Sequence, residues 1–386
     1  MTRPESHNTG NHRRFWRRLA QGVAISLAWG VALVAVPELL LRTLADPPSA
    51  PEPIVGNRRF VEWLTEQSVA GANAGSLYRS DRRLIWSLEP GAQIVTTSQH
   101  YDHNVGERQA ITITINRDGH RGPQISQSAA PDALRILCMG DSNFFGYPLS
   151  DDYAFPRVLE RQLQASGADT AEVINAATPG YTVVQGWRWY ESKFRDYPYD
   201  VLMLSYLNND AWPQQRADTD TLEAYSAPWR PMTMRFERLW TVRWVRERRT
   251  APAKDALVAR VDLETFEDHY RRFIAAARAR NARVMLVDHR AYEKYSPYSQ
   301  VLRRLATEPD VSWLPVGPVL SAGFSATDAE ARHPELAARV RRRWGTDKLQ
   351  RRPYLWYYAE FFPEHLNELG NVFVAELLRD EILGRH

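Results

Sequence analysis

The chain has 386 residues, of which 44% are apolar and 25% charged, which excludes a disordered polypeptide and leaves room for one large domain or two modest ones. Its single cysteine, Cys138, excludes an internal disulfide framework. The formal net charge of +3 is concentrated at one end. Arg3, Arg13, Arg14, Arg17 and Arg18 against Glu5 carry +4 ahead of the first apolar segment, so the remainder is near −1 and lacks the basic footprint of a nucleic-acid binder.

Residues 1–18 read as a basic tail. Leu19 to Pro37 carries no charge and the apolar run resumes at Leu39, so 19–41 is about long enough to cross a bilayer as one helix, with Glu38 near its end. The preceding arginines predict a cytoplasmic N-terminus, a single-pass anchor, and an extracytoplasmic, periplasmic main domain beyond Arg42. A cleaved signal peptide is the alternative, suggested by Gly22, Ser26 and Gly30 within the apolar run. The anchor is favoured because Glu38 and Arg42 resemble an interfacial end and no small-x-small site follows directly. Arg13-Arg14 fits twin-arginine export poorly. In 42–57, Pro47, Pro48, Pro51 and Pro53 make a stiff, extended spacer.

A leading region spans 58–130. Phe60, Trp63 and Leu64 suggest a short helix. Strict alternation over Ala110 to Asn116 predicts a half-buried strand, followed by an Asp118-Gly119 turn and closed by Arg121-Gly122-Pro123. His100-Tyr101-Asp102-His103 offers possible zinc ligands, but its spacing in a polar loop favours solvation, and no metal or organic cofactor is implied.

The main domain, 131–386, alternates strands with helices. Leu134 to Gly140 is an apolar run of strand length that stops at Gly140-Asp141-Ser142-Asn143, followed by a helical pattern over Tyr153 to Gln164. A second strand, Glu172 to Ala176, precedes a break at Ala177 to Thr182 containing Gly180, then a helix with Val183, Trp187, Tyr190 and Phe194 on one face. A third, Val201 to Tyr206, ends in Leu207-Asn208-Asn209-Asp210. Residues 211–260 show no clean period and hold Trp212, Trp229, Trp240 and Trp244 among many arginines. They read as an irregular packed excursion, a cover over a site, or a surface against lipid headgroups. Asp262 predicts an N-cap for the helix Leu263 to Arg280, and Val284 to Val287 is a strand ending at Asp288-His289. A helix near 299–307 and a strand near 311–316 follow. Glu364 to Asn371 opens a last helix with Leu366, Leu369, Phe373 and Leu377 inward. Such alternation means a parallel sheet covered on both faces.

Ser142, Gly180, Asn209 and His365 each fall just beyond a strand or at a helix start. In open α/β sheets chemistry sits at the carboxyl ends of the strands. Acyl transfer needs a hydroxyl, a base to deprotonate it, and fixed donors for the oxyanion. Ser142 can supply the nucleophile and His365 the base. The Ser142 N–H, the Gly180 N–H and the Asn209 amide can form the hole, while Asp141 shapes the turn.

This order resembles the SGNH/GDSL hydrolase superfamily. The resemblance runs through Gly140-Asp141-Ser142-Asn143, Asn175 to Thr182, Leu207 to Asp210 and His365-Leu366-Asn367 with Gly370, over roughly Leu134 to Leu383. The N-terminal anchor and Ile113 to Asn116 with Gly119-His120-Arg121-Gly122 resemble its membrane-anchored bacterial branch. The resemblance implies a three-layer α/β/α flavodoxin-like fold and a serine esterase acting on an ester-linked acyl group, with O-acetyl on an envelope glycan as the preferred substrate. It departs at two places. Leu207 stands where the third block usually begins with glycine. Phe362 stands where the family places an aspartate three residues before the histidine. Such an aspartate orients the imidazole, and its loss from a serine triad costs about 10⁴ in turnover. Three readings follow: a Ser142–His365 dyad that suffices, a displaced carboxylate (Glu360, Glu364 or Asp288), or a degenerate site that only binds glycan. Transfer of the acyl group to a polysaccharide uses the same acyl-enzyme as hydrolysis. The sequence sets no oligomeric state.

Overall fold

The computed structural model describes residues 9–44, 77–81, 83–97, 110–124, 126, 133–147, 149–214, 216–226, 239–249, 257–290, 293–323, 325–359 and 365–384. It falls into two compact units, residues 1–52 with 227–255, and residues 53–226 with 256–386. The helix suggested by Phe60, Trp63 and Leu64, the proline run at 47–53, and His100 to His103 lie outside the described residues.

The first unit contains α1 (Thr9–Leu44), of which Phe15–Leu44 is long and apolar enough to cross a membrane. Its described apolar side chains are almost all exposed, Leu33 at 72%. A second helix, Trp240–Arg249, packs on it within this unit. The Glu38 carboxylate accepts the Trp240 N–H at 2.9 Å and the Thr241 N–H and hydroxyl at 3.0 Å each. Arg42 donates to the same carboxylate at 2.8 Å and lies over the Trp240 ring. Glu38, a charge in the apolar helix, is thus satisfied by the free N–H groups that begin another helix.

The second unit begins with two antiparallel pairs, β1 (Tyr78–Asp81) with β2 (Ile85–Leu88), and β3 (Gln93–Thr97) with β4 (Ala110–Thr114). Then come β5 (Arg135–Gly140), α2 (Ser142–Phe145), α3 (Phe155–Ala165), β6 (Glu172–Asn175), α4 (Val183–Trp189) and β7 (Val201–Ser205). After the excursion follow α5 (Leu263–Arg278), β8 (Arg283–Asp288), α6 (Ser296–Leu305), β9 (Val311–Pro315) and α7 (Glu368–Ile382). Five strands form one parallel sheet in the order β9-β8-β7-β5-β6. Numbered within the sheet alone this is the flavodoxin-like order 2-1-3-4-5, whose switch point lies beside the first strand, β5.

The alternation of side chains along each strand builds the layers. Ile136 and Cys138 of β5 join a cluster with Phe155, Leu159 and Leu163 of α3 and Phe373 of α7. Leu137 and Met139 point the other way, into a cluster with Tyr190 and with Phe266, Tyr270 and Phe273 of α5. Both faces are therefore covered, giving the three-layer α/β/α fold. Cys138 is fully buried and its thiol is pushed well up by burial, so it is an inert core residue.

Several boundaries differ from the sequence reading. The helix expected from Tyr153 starts at Phe155, because Pro156 suits a first turn, and Asp151–Tyr153 forms a separate 3₁₀ turn. The next helix loosens into a π turn at Tyr190–Phe194, which still buries both rings. The last helix begins at Glu368, so His365 precedes it in an extended segment instead of opening it. Asn367 sets that start by accepting the Gly370 N–H at 3.0 Å. Within that helix Leu378 is fully buried, and Leu377 is only half-buried. The excursion closes on itself where Pro213–Gln214 pairs with Val258–Ala259.

Candidate active site

The nucleophile turn is built by contacts among three strand ends. Gly140 lies opposite Ser205 in the register of β5 and β7. A Cβ on Gly140 would stand 2.7 Å from the Ser205 carbonyl oxygen, so glycine is required by close approach. The Asp141 N–H donates to that same oxygen at 3.2 Å, and the Thr178 N–H to the Gly140 carbonyl at 3.0 Å. Asp141 N-caps α2. Its carboxylate accepts from the Asn143 N–H at 2.9 Å and side-chain amide at 3.1 Å, and from the Asn209 amide at 3.1 Å. Burial pushes Asp141 up to about 6 despite those bonds. Asp141 therefore ties the first block to the third.

His365 is brought to this turn from the far end of the chain. The Ala359 N–H donates to the His365 carbonyl at 2.9 Å, and the Asn367 N–H to the Tyr357 carbonyl at 2.8 Å. The Asn367 amide reaches the carbonyls of Leu355 and Trp356. A Cβ on Gly370 would stand 2.3 Å from the Tyr357 oxygen, which explains the glycine of this block. Held this way, His365 Nε2 lies 2.7 Å from Ser142 Oγ. Both are buried, Ser142 at 8% and His365 at 6% exposure. Tyr147 packs its edge against the imidazole at 5.4 Å between ring centres. Burial lowers His365 to about 3, so the ring is neutral at pH 7 and able to accept a proton.

Gly180 sits at φ +79° in the loop after β6. Among the described residues the N–H groups of Ser142 and Gly180 donate to no protein acceptor. One N–H of the Asn209 amide is held by Asp141 and the second has no protein acceptor among the described residues. Two backbone donors and one side-chain donor are therefore available on the three loops that meet at Gly140.

Of the carboxylates considered for orienting the imidazole, Glu360 and Glu364 lie outside the described residues, as does Phe362. Asp288 is not brought to His365. Its carboxylate accepts the Arg290 N–H at 2.9 Å, and burial raises its pKa. Among the described residues no group of three or more histidines, cysteines and carboxylates could hold a metal ion.

Three features were missed by sequence reasoning. His289, seen only as a strand end, is a second buried imidazole whose Nδ1 lies 2.9 Å from Ser205 Oγ and whose ring edges Phe144. Burial, and then His365, lower it to about 3. Arg121, read as the end of the leading region, is buried. It bonds Asp151 and the carbonyls of Phe145, Gly146 and Leu149, at and just beyond the end of the nucleophile helix. Arg260 is buried between Asp218, Gln185 and the Gly180 carbonyl. Isolated arginines in polar stretches carry no periodic signal of burial.

Among curated proteins none matches the chain. Solved structures similar to it include a lipase/acylhydrolase from Enterococcus faecalis, 15% identical, covering 65% of this chain and 96% of that one at a TM-score of 0.40. Another is a variant of an acetyl-xylooligosaccharide esterase from Geobacillus Stearmophilus, 14% identical, covering 64% of this chain and 94% of that one at a TM-score of 0.36. The sequence model of the GDSL-like lipase/acylhydrolase family matches residues 138–371, which is more than half of the chain and runs from β5 past His365. The chain belongs to the GDSL-like lipase/acylhydrolase family.

Proposed function

We propose that this protein is a serine esterase in which Ser142 and His365 carry the reaction. Ser142 Oγ attacks the ester carbonyl carbon while His365 Nε2 takes its proton. The tetrahedral oxyanion is met by the N–H groups of Ser142 and Gly180 and by the free N–H of Asn209. The C–O bond to the alcohol then breaks, and the alcohol leaves with the proton returned by His365. Water, deprotonated by the same imidazole, releases the acid and restores Ser142. The observation that carries this reading is the 2.7 Å approach of His365 Nε2 to Ser142 Oγ. It supports Ser142 as nucleophile and His365 as base, and in the sequence Phe362 stands where the family places its aspartate.

The preferred substrate is an O-acetyl group on an envelope glycan. Low exposure of both Ser142 and His365 favours a small acyl group over a long chain. The helix α1, exposed on its apolar sides, supports a retained membrane anchor with the esterase unit outside the cytoplasm. The bond network from Glu38 to the helix Trp240–Arg249 makes that anchor part of a folded unit, which favours retention over cleavage, and Trp and Arg side chains there suit a headgroup layer. Hydrolysis of p-nitrophenyl acetate by the full-length protein, set beside Ser142→Ala, tests the esterase reading. Turnover lost in the variant supports it. Equal rates favour a glycan-binding protein with a degenerate site, the reading that the Phe362 substitution suggests. Product analysis with a sugar acceptor present separates hydrolysis from transfer to a polysaccharide.

A further inference from the structure

The leading hairpin lies outside the part of the chain matched by the family, yet it is stitched to the loop that carries Gly180. The Trp86 indole N–H donates to the Pro179 carbonyl at 3.3 Å. That carbonyl belongs to the same peptide group as the Gly180 N–H. A peptide plane fixed at its oxygen is also fixed at its nitrogen. A bond donated to the carbonyl further polarises the group and strengthens its N–H as a donor.

The hairpin itself is firmly held. The Tyr181 hydroxyl donates to the Trp86 carbonyl at 2.6 Å, and the Gln185 amide to the Leu84 carbonyl at 2.8 Å. The Trp86 and Tyr181 rings meet edge to face at 5.4 Å. Between those anchors Ile85 has φ +74°. A β-branched residue in that region is strained, and such strain persists only where the surroundings over-determine it. On the other side of Gly180, Arg260 donates to its carbonyl at 2.8 Å and is itself fixed by both oxygens of Asp218.

We infer that the β1–β2 hairpin is part of the catalytic apparatus, with Trp86 as a positioning residue that aims the Pro179–Gly180 peptide so that its N–H faces the developing oxyanion. This rests on the esterase reading above. The contacts of Trp86 are with Pro179 and Tyr181, and it makes no bond to Ser142. Its effect runs through one peptide group, so it acts on the transition state and leaves ground-state binding alone.

The experiment compares full-length wild type, Trp86→Phe and Tyr190→Phe in detergent, with p-nitrophenyl acetate as substrate. Trp86→Phe removes the indole donor and keeps an aromatic ring. Tyr190→Phe removes a buried bond, to the Tyr199 hydroxyl at 2.8 Å, that involves neither the hairpin nor Pro179. The expected result is a loss of about ten-fold in kcat for Trp86→Phe with KM within about two-fold, and kcat within about two-fold of wild type for Tyr190→Phe. Trp86→Met, which refills the space without a donor, takes the place of Trp86→Phe if that variant does not fold. Unchanged kcat in the Trp86 variant, or equal losses in the Trp86 and Tyr190 variants, overturns the inference. Absence of Ser142-dependent turnover in wild type is the separate result that defeats the esterase reading itself.

Discussion

His365 Nε2 and Ser142 Oγ stand 2.7 Å apart although 223 positions separate them in the chain. The approach depends on the backbone around each. Ser142 is placed by the meeting of Gly140 with the Ser205 carbonyl, and His365 by the pairing of Ala359 and Tyr357 with the segment that ends at Asn367.

Burial holds His365 neutral down to about pH 3. The acid limb of kcat/KM for p-nitrophenyl acetate is therefore expected well below 6.5, with a plateau from about pH 8 to about pH 5. A limb centred near 6.5 would show a solvated imidazole. The same groups govern stability. His365 and His289 are both lowered to about 3 in the fold, so between 6.5 and 3 the unfolded chain binds protons that the native state refuses. Their contribution is present above about 6.5 and is lost as pH falls toward 3. Denaturant titrations at pH 7 and pH 4.5 are expected to show the lower midpoint at pH 4.5.

Gly370→Ala places a methyl group against the Tyr357 carbonyl oxygen, at 2.3 Å before relaxation. The backbone must move, at a cost of about 2 kcal/mol. Because that backbone carries His365, kcat is expected to fall at least ten-fold in a protein that still folds. Circular dichroism and esterase assay on the same sample check this, and full activity would mean the segment tolerates the shift.

Arg121→Met removes a buried cation from Asp151 and from three carbonyls at and beyond the end of the nucleophile helix. Loss of about 3 kcal/mol is expected, since the carbonyls are left without their donor. Chemical denaturation measures it. A change under 1 kcal/mol would show that water replaces the guanidinium.

Glu38→Ala is expected to loosen the helix Trp240–Arg249 without releasing α1 from lipid, because the apolar length of α1 is unchanged. Limited trypsin digestion should cut at the arginines of that helix several-fold faster in the variant, while both proteins stay with the membrane after an alkaline carbonate wash. A mature wild-type protein that lacks residues 1–44 would contradict the retained anchor.

The sheet was legible because each of its strands is a short apolar run ended by polar or glycine residues, as in Val201 to Ser205 before Leu207-Asn208-Asn209. Of the four candidate site residues, Ser142, Gly180 and Asn209 were legible because each follows such an end, and His365 because it stands just before a helical pattern. The start of the last helix was misplaced because Asn367, and not the residues before His365, supplies the cap. Trp86, Arg121 and Arg260 were invisible as site supports. Their roles depend on carbonyl groups brought near by the fold, and a carbonyl leaves no mark on the sequence. The excursion at 211–260 showed no period because its ends pair with each other while residues 227–255 belong with the N-terminal helix.

The central claim is that the neutral imidazole of His365 activates Ser142, and the most direct measurement is covalent labelling by a fluorophosphonate. The full-length protein is incubated with the probe, digested and mapped by mass spectrometry, beside His365→Ala. The account expects one adduct, on Ser142, forming at least 100-fold more slowly in the variant. A folded wild-type protein that carries no adduct on Ser142, or one that forms equally fast without His365, would contradict it.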